Sequence, residues 1–105
     1  MRLDVDRDYT TAFELTVDSR GWVHDACWGD ASWDPTWFVA ADVEAESWTV
    51  EAAIPLAQLV ADPPDARHVW AVAIRRTIPR TGYESWCGDP ADADSPDQFG
   101  LLIYE

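Results

Sequence analysis

The chain of 105 residues lacks the features that would place it in a membrane or mark it for export. No segment approaches the ~20 consecutive apolar residues that a membrane-spanning helix needs. No apolar segment typical of a secretory signal peptide follows Met1. Lysine and asparagine are also missing, which a GC-rich coding bias or a salt-adapted acidic surface would explain. We therefore expect a soluble chain whose export signal, if it has one, lies outside this sequence.

The residues that most often carry catalysis are scarce. The only histidines are His24 and His68, and no glycine-rich phosphate loop, Gly-x-Ser-x-Gly turn or zinc-ligand spacing is present. Paired carboxylates remain as raw material for a hydrolase, but no pair stands out. Met1 and the two histidines are the only usual axial haem ligands. The sequence thus predicts a protein that is not an enzyme and binds no haem.

Charge of one sign dominates, with 20 acidic residues against 7 basic ones and a formal net charge of −13. Such a field repels phosphate backbones and anionic lipids, so we expect neither nucleic acid nor a membrane as partner.

Two acidic runs could be calcium loops. The first, Asp4-x-Asp6-x-Asp8, lacks the glycine and glutamate of an EF-hand, which favours a solvated acidic turn. For the second run a solvated loop is likewise favoured, and a calcium site is the alternative. Its carboxylates are Asp89, Asp92, Asp94 and Asp97.

Hydrophobic residues alternate with a period of two, which indicates strands. Strands are predicted at residues 13–17, 22–28, 37–43, 47–54, 69–78 and 99–104, with one helical turn at 56–59 and an irregular segment at 79–96. Short strands between turn-rich loops are typical of an antiparallel β-sandwich with jelly-roll or immunoglobulin-like topology and little helix. A closed barrel is the alternative. We expect one domain over residues 1–105.

Tryptophan is abundant, with 7 residues. Trp48 and Trp70 are in phase with apolar strand residues and are predicted to be core, and Trp22 and Trp37 are expected in the core or between sheets. The remaining three lie at strand ends or in loops, where an exposed indole suggests that it stacks on a ligand such as a sugar ring; these are Trp28, Trp33 and Trp86.

Two further pairs have two interpretations each. Glu51 and Arg75 each lie on the face of their strand that is opposite the bulky apolar side chains. If the two strands are neighbours, the pair could be a structural ion pair or a polar floor for sugar hydroxyls. Cys27 and Cys87 could form a disulfide, which would imply an oxidising compartment, or remain two unrelated thiols.

Several segments, in order, resemble a known family. The segments SWTVEAAIPL at 47–56, VWAVAIRR at 69–76, ESW at 84–86 and DQFGLL at 97–102 are similar to family nine carbohydrate-binding modules and their relatives in the DOMON superfamily. The likeness covers most of the chain, which would correspond to the C-terminal part of a module.

The resemblance implies an antiparallel β-sandwich that binds sugars between tryptophans and holds structural calcium. It would make Trp86 a stacking wall, would place Glu51 and Arg75 at the family's acidic and basic strand positions, and would add Arg76 and Gln98 as further ligand contacts. Many relatives are accessory domains of large exported bacterial proteins, so an extracytoplasmic module is expected. The alternative function is a protein interaction or assembly module, which could self-associate or pack on other domains.

Overall fold

A computed structural model of the chain describes residues 1–92 and 95–105. These residues form nine strands: β1 (Arg2–Asp4), β2 (Phe13–Val17), β3 (Val23–Cys27), β4 (Phe38–Val43), β5 (Trp48–Ala53), β6 (Val69–Ala73), β7 (Arg75–Ile78), β8 (Gly82–Ser85) and β9 (Gly100–Ile103). Single 3-10 turns lie at Leu56–Gln58 and Pro96–Gln98.

The predicted all-β class with antiparallel strands and little helix is confirmed. The pairs β1–β6, β6–β9, β2–β3, β4–β5 and β7–β8 are all antiparallel. In the described part of the chain, no helix has the length and apolarity required to cross a bilayer. The residues group into two compact units, one of residues 1–12 and 64–105 and one of residues 13–63.

In the first unit, β6 lies between β1 and β9. Four successive residues of β6 are buried, as expected for a central strand that is apolar on both faces. The indole of Trp70 is buried and meets the ring of Tyr104 edge to face, with ring centroids 5.0 Å apart. Leu3 of β1 completes this small core.

The prediction of one long strand at residues 69–78 was wrong. The chain leaves the β6 sheet at Ile74, and β7 then pairs with β8 in a separate hairpin. The buried residues end at Ala73, and Arg75 and Arg76 are exposed. A guanidinium is costly to bury without a partner, so the strand could not continue through the interior. β8 lies in the segment that was expected to be irregular, so that expectation was wrong for residues 82–85. The strand was not predicted because its Gly-Tyr-Glu-Ser sequence has no apolar alternation.

The second unit contains the hairpins β2–β3 and β4–β5. The predicted turn at residues 18–21 is present: Gly21 has a φ of +83° and donates its N–H to the carbonyl of Asp18 at 3.0 Å. Its buried apolar side chains include Leu15, Ala26 and Leu59.

The structure divides the tryptophans predicted to be core. Trp70 is confirmed, and Trp37 is half-buried, with its Nε1–H donating to Oδ2 of Asp25 at 3.0 Å. The prediction was wrong for Trp22, which is 74% exposed, and for Trp48, which is also exposed. Trp48 lies on the β4–β5 hairpin, a two-stranded sheet in the described residues. Alternation identifies an apolar face but does not show whether another layer covers it.

Candidate functional site

Trp86 directly follows β8 and is held at two points. Its backbone N–H donates to the carbonyl oxygen of Ile74 at 2.9 Å, which extends the β7–β8 ladder by one residue. Its ring atoms Cζ3 and Cη2 lie 2.6 and 2.7 Å from the place where a Cβ of residue 100 would be, and Gly100 leaves that space free. The side chain is nevertheless 57% exposed, so the sequence-based expectation of an exposed indole here is confirmed.

An ion pair lies beside this indole. Arg76 of β7 and Glu84 of β8 are opposite each other in register, and the Arg76 guanidinium donates to Oε2 of Glu84. Both side chains are more than half exposed. Because alternate residues of a strand share a face, Glu84 and Trp86 lie on one side of the hairpin, together with Arg76 and Ile74. We call these four residues the Trp86 face.

Arg75 lies on the opposite face of the same hairpin. Its guanidinium stands over the ring of Tyr83, 4.8 Å from the centroid. A Glu51–Arg75 pair would require that their strands, β5 and β7, are neighbours. This condition is not met, because β5 pairs with β4 and β7 pairs with β8. The ion pair on the β7–β8 hairpin, Arg76 with Glu84, uses a carboxylate that sequence reasoning did not select. The spacing of Glu84 and Trp86 at i and i+2 was the signal available.

Glu51 lines a different feature, an open concavity of about 420 Å³ on the β4–β5 hairpin. In register it lies opposite Ala40, and Phe38 lies opposite Ala53 on the same face. This concavity combines one carboxylate with apolar side chains and contains no aromatic platform besides the exposed Phe38.

Gln98, expected as a ligand contact, is buried and serves as an internal link. Its Oε1 accepts the hydroxyl of Ser85 at 2.7 Å, and its Nε2 donates to the carbonyl oxygen of Asp89. Gly88 fits against this amide, since a Cβ there would stand 2.6 Å from Nε2. Gln98 thus ties the segment after Trp86 to β8 from inside and is too buried to meet a ligand.

The other two candidate tryptophans differ from each other. Trp28 is 73% exposed at the tip of a tight turn in which Asp30 donates its N–H to the carbonyl of Cys27 at 2.8 Å. Both central residues, Trp28 and Gly29, have positive φ, as in a type I′ turn. Trp33 is half-buried instead of exposed, and its ring packs on Phe13 with centroids 4.8 Å apart.

The first acidic run forms a compact loop. Asp4, Asp6 and Asp8 each offer a carboxylate oxygen, and these oxygens lie within 4.8 Å of one another, a grouping that could hold a cation. Asp4 accepts the backbone N–H groups of Arg7 at 2.7 Å and Tyr9 at 2.6 Å. Burial raises the pKa of the Asp4 carboxyl, and the adjacent Asp6 carboxyl raises it further. The sequence predicted a solvated acidic turn. This prediction is wrong for Asp4, which is buried.

Asp8 differs from Asp4 in exposure and in the direction of its shift. Its carboxylate accepts the backbone N–H groups of Thr10 and Thr11, each at 2.7 Å, and the Thr11 hydroxyl at 2.6 Å. These hydrogen bonds lower the pKa of Asp8.

The second acidic run is only partly described. Asp94 lies outside the described residues, whereas Asp89 accepts the N–H of Ala91 at 2.9 Å in a local turn. Calcium at Asp89, Asp92 and Asp94 stays a prediction.

The cysteines are two separate thiols. Cys27 and Cys87 are both free and half-buried, so of the two alternatives the structure has the unpaired one. Cys87 Sγ lies 3.3 Å from where a Cβ of Gly100 would be. The sulfur and the Trp86 ring therefore pack against the same side of Gly100.

Comparisons with protein-family models, with curated proteins and with solved structures found no match to this chain. The likeness to family nine carbohydrate-binding modules therefore stays a prediction from the sequence, and function must be argued from the geometry of the Trp86 face.

Proposed function

We propose that the chain is a noncatalytic carbohydrate-binding module that takes a sugar ring on the Trp86 face. The observation that carries the proposal is an exposed indole, wedged against Gly100, that shares a hairpin face with the Arg76–Glu84 ion pair. An indole left in water is costly, and a flat platform with fixed orientation suits the C–H face of a pyranose.

The ion pair supplies the polar half of such a site. A guanidinium presents several donors in a plane, and a carboxylate presents acceptors, so together they match the alternating hydroxyls of a sugar. Because Arg76 and Glu84 hold each other, both groups are oriented before a ligand arrives, which lowers the entropy cost of binding. The exposed Ile74 extends the apolar part of the face.

The charge of the chain restricts the ligand. With a net charge of −13, the surface repels uronic acids, sulfated sugars and other anionic glycans. A neutral glycan is therefore the expected ligand class.

The resemblance to family nine modules supports the same conclusion from the sequence side. It supports an accessory module of a larger exported protein in an extracytoplasmic setting. A structural calcium ion and a contribution of Glu51 to ligand binding rest on this resemblance alone. Arg75 is not part of the proposed site, because it stands over Tyr83 on the opposite face of the β7–β8 hairpin.

A second candidate function, an interaction or assembly module without a sugar ligand, is favoured by the extent of exposed apolar surface. Several large hydrophobic side chains other than the tryptophans are exposed on strands, among them Phe38, Val43, Leu101 and Ile103. Contiguous exposed apolar residues mark association surfaces in many soluble proteins.

The test is a glycan array followed by titration of the hits, monitored by quenching of tryptophan fluorescence. Trp86→Ala should weaken binding of a hit by about 1–3 kcal/mol, the usual value of stacking on an aromatic ring, with little change in melting temperature. Trp22→Ala is the matched control, because Trp22 is also exposed but lies on another hairpin. An array without hits for the folded protein, or equal losses in both variants, would reject the proposal.

A further inference from the structure

We infer that the outer edge of β9 is a pairing site for β9 of a second copy of this chain, in antiparallel orientation. In the described residues β9 has β6 as its one neighbour. The strand Gly-Leu-Leu-Ile contains no charge and no proline, the two devices that most often block strand addition at an edge. This inference does not rest on the proposed sugar site, although the Trp86 ring packs against Gly100 at the start of β9.

The hydrogen-bonding pattern shows which groups are available. Tyr104 donates its N–H to the carbonyl of His68 at 3.0 Å, so its backbone groups face the β6 side. Because antiparallel strands alternate, Leu102 also faces β6, whereas the N–H and C=O groups of Leu101 and Ile103 point to the open edge. The side chains of these two residues are 56% and 57% exposed.

One antiparallel register pairs both outward-facing residues of β9 within the strand. When Leu102 lies opposite Leu102 of the other copy, Leu101 lies opposite Ile103 of the other copy, and the reverse pair is equivalent. Both pairs then consist of residues whose backbone groups point outward, so each pair exchanges both of its N–H···O bonds. Leucine and isoleucine side chains meet across the junction, which favours cross-strand packing.

Charge complementarity supports the same register. Glu105 lies opposite Phe99 of the other copy, and the Phe99 ring carries the guanidinium of Arg2 at 5.3 Å from its centroid. The arrangement therefore brings the carboxylate of one copy towards an arginine of the other. No pair of like charges is directly opposed between residues 99 and 105.

The test is the concentration dependence of mass in sedimentation velocity. The wild-type chain should associate to a dimer, and Leu101→Lys with Ile103→Lys should abolish it, because lysines would then oppose each other. Val23→Lys with Val43→Lys is the matched control, since it makes the same charge change at exposed valines of other strands and should leave the dimer intact. Added lysines reduce the net negative charge, so a loss of dimer cannot come from overall repulsion.

A charge exchange tests the register itself. Leu101→Lys with Ile103→Glu places lysine opposite glutamate in both pairs and should restore the dimer. For the wild-type chain, hydrogen exchange should show amides of Leu101 and Ile103 that gain protection as concentration rises, while the amide of Leu102 is protected throughout. The inference would be overturned by a monomeric wild-type chain or by a dimer that survives the double-lysine change. It would also be overturned if Leu101→Lys with Ile103→Glu did not restore the dimer, or if hydrogen exchange did not depend on concentration.

Discussion

The indole of Trp86 occupies the space where a side chain of residue 100 would begin. An ideal Cβ on Gly100 would stand 2.6 Å from Cζ3 and 2.7 Å from Cη2 of the Trp86 ring. The φ of Gly100 is not in the positive range, so glycine is needed there for space and not for backbone conformation. This contact fixes one edge of an indole that is otherwise largely exposed.

Gly100→Ala should therefore displace the Trp86 ring or strain β9. We expect a loss of about 1–3 kcal/mol in the free energy of unfolding, as for other overpacked sites, measured by urea unfolding. In the Trp86→Ala background the same substitution should cost clearly less, because the ring atoms that it meets are gone. Equal costs in both backgrounds would contradict the contact. Sugar binding should also weaken in Gly100→Ala, because the platform is moved.

Arg76→Ala should weaken glycan binding roughly tenfold, because it removes about 1.5 kcal/mol of charged hydrogen bonds to the ligand. Its effect on the free energy of unfolding should stay below about 1 kcal/mol, because the ion pair with Glu84 is exposed. Arg75→Ala is the neighbouring control, because Arg75 stands over Tyr83 on the opposite face of the hairpin. Titration of an array hit measures both. If Arg75→Ala causes the larger loss, the ligand contacts the other face and the proposed site is wrong.

Trp28→Asn should stabilise the chain by about 1 kcal/mol, because Trp28 has a φ of +50° and bulky residues are strained there. The change creates Asn-Gly, the pair that a type I′ turn prefers. The matched control is Trp22→Asn, since Trp22 is as exposed but its φ is not positive. Chemical unfolding measures both variants, and an unchanged or lower stability of Trp28→Asn relative to the control would refute the strain. A simultaneous loss of ligand binding would show that the strained turn carries an indole that the ligand needs.

Asp4→Asn should change how stability depends on pH. Burial raises the pKa of Asp4 in the folded chain, so between its unfolded and folded pKa values the native state holds more protons than the unfolded state. The contribution of this group to the free energy of unfolding is therefore greatest below the unfolded pKa and falls as pH rises through the folded pKa. Urea unfolding across this acidic range should show the wild-type chain losing stability relative to Asp4→Asn as pH rises. A constant difference, or one of opposite slope, would contradict the raised pKa.

The predicted strands show how far local pattern reached. Alternating residues predicted β2, β4, β5 and β9 to within a residue or two, because a strand that buries one face must repeat with a period of two. The pattern did not predict β1, which is three residues long, or β8, whose residues do not alternate in polarity. β1 forms because β6, which is distant in sequence, supplies its hydrogen bonds, and β8 forms because β7 supplies them across a short turn.

The site residues follow the same division. Trp86 could be selected from the sequence, because an indole in a loop beside Gly, Asp and Pro has no apolar neighbours in phase with it. Its polar partner could not be selected, since the choice between Glu51 with Arg75 and Glu84 with Arg76 depends on which strands pair. Gln98 shows the converse: the resemblance implied a ligand contact, but the hydrogen bonds of its side-chain amide are internal.

The sequence by itself determined the all-β class, the acidic surface and the candidate stacking indole, because composition and period-two alternation are local properties of the chain. Only the tertiary structure decided that Trp70 is buried while Trp22 and Trp48 are exposed, that the strand breaks at Ile74, and that Gly100 makes room for Trp86. The physical reason is that burial and pairing depend on which distant segments meet, and the energy of covering a face is gained only when a second element lies against it.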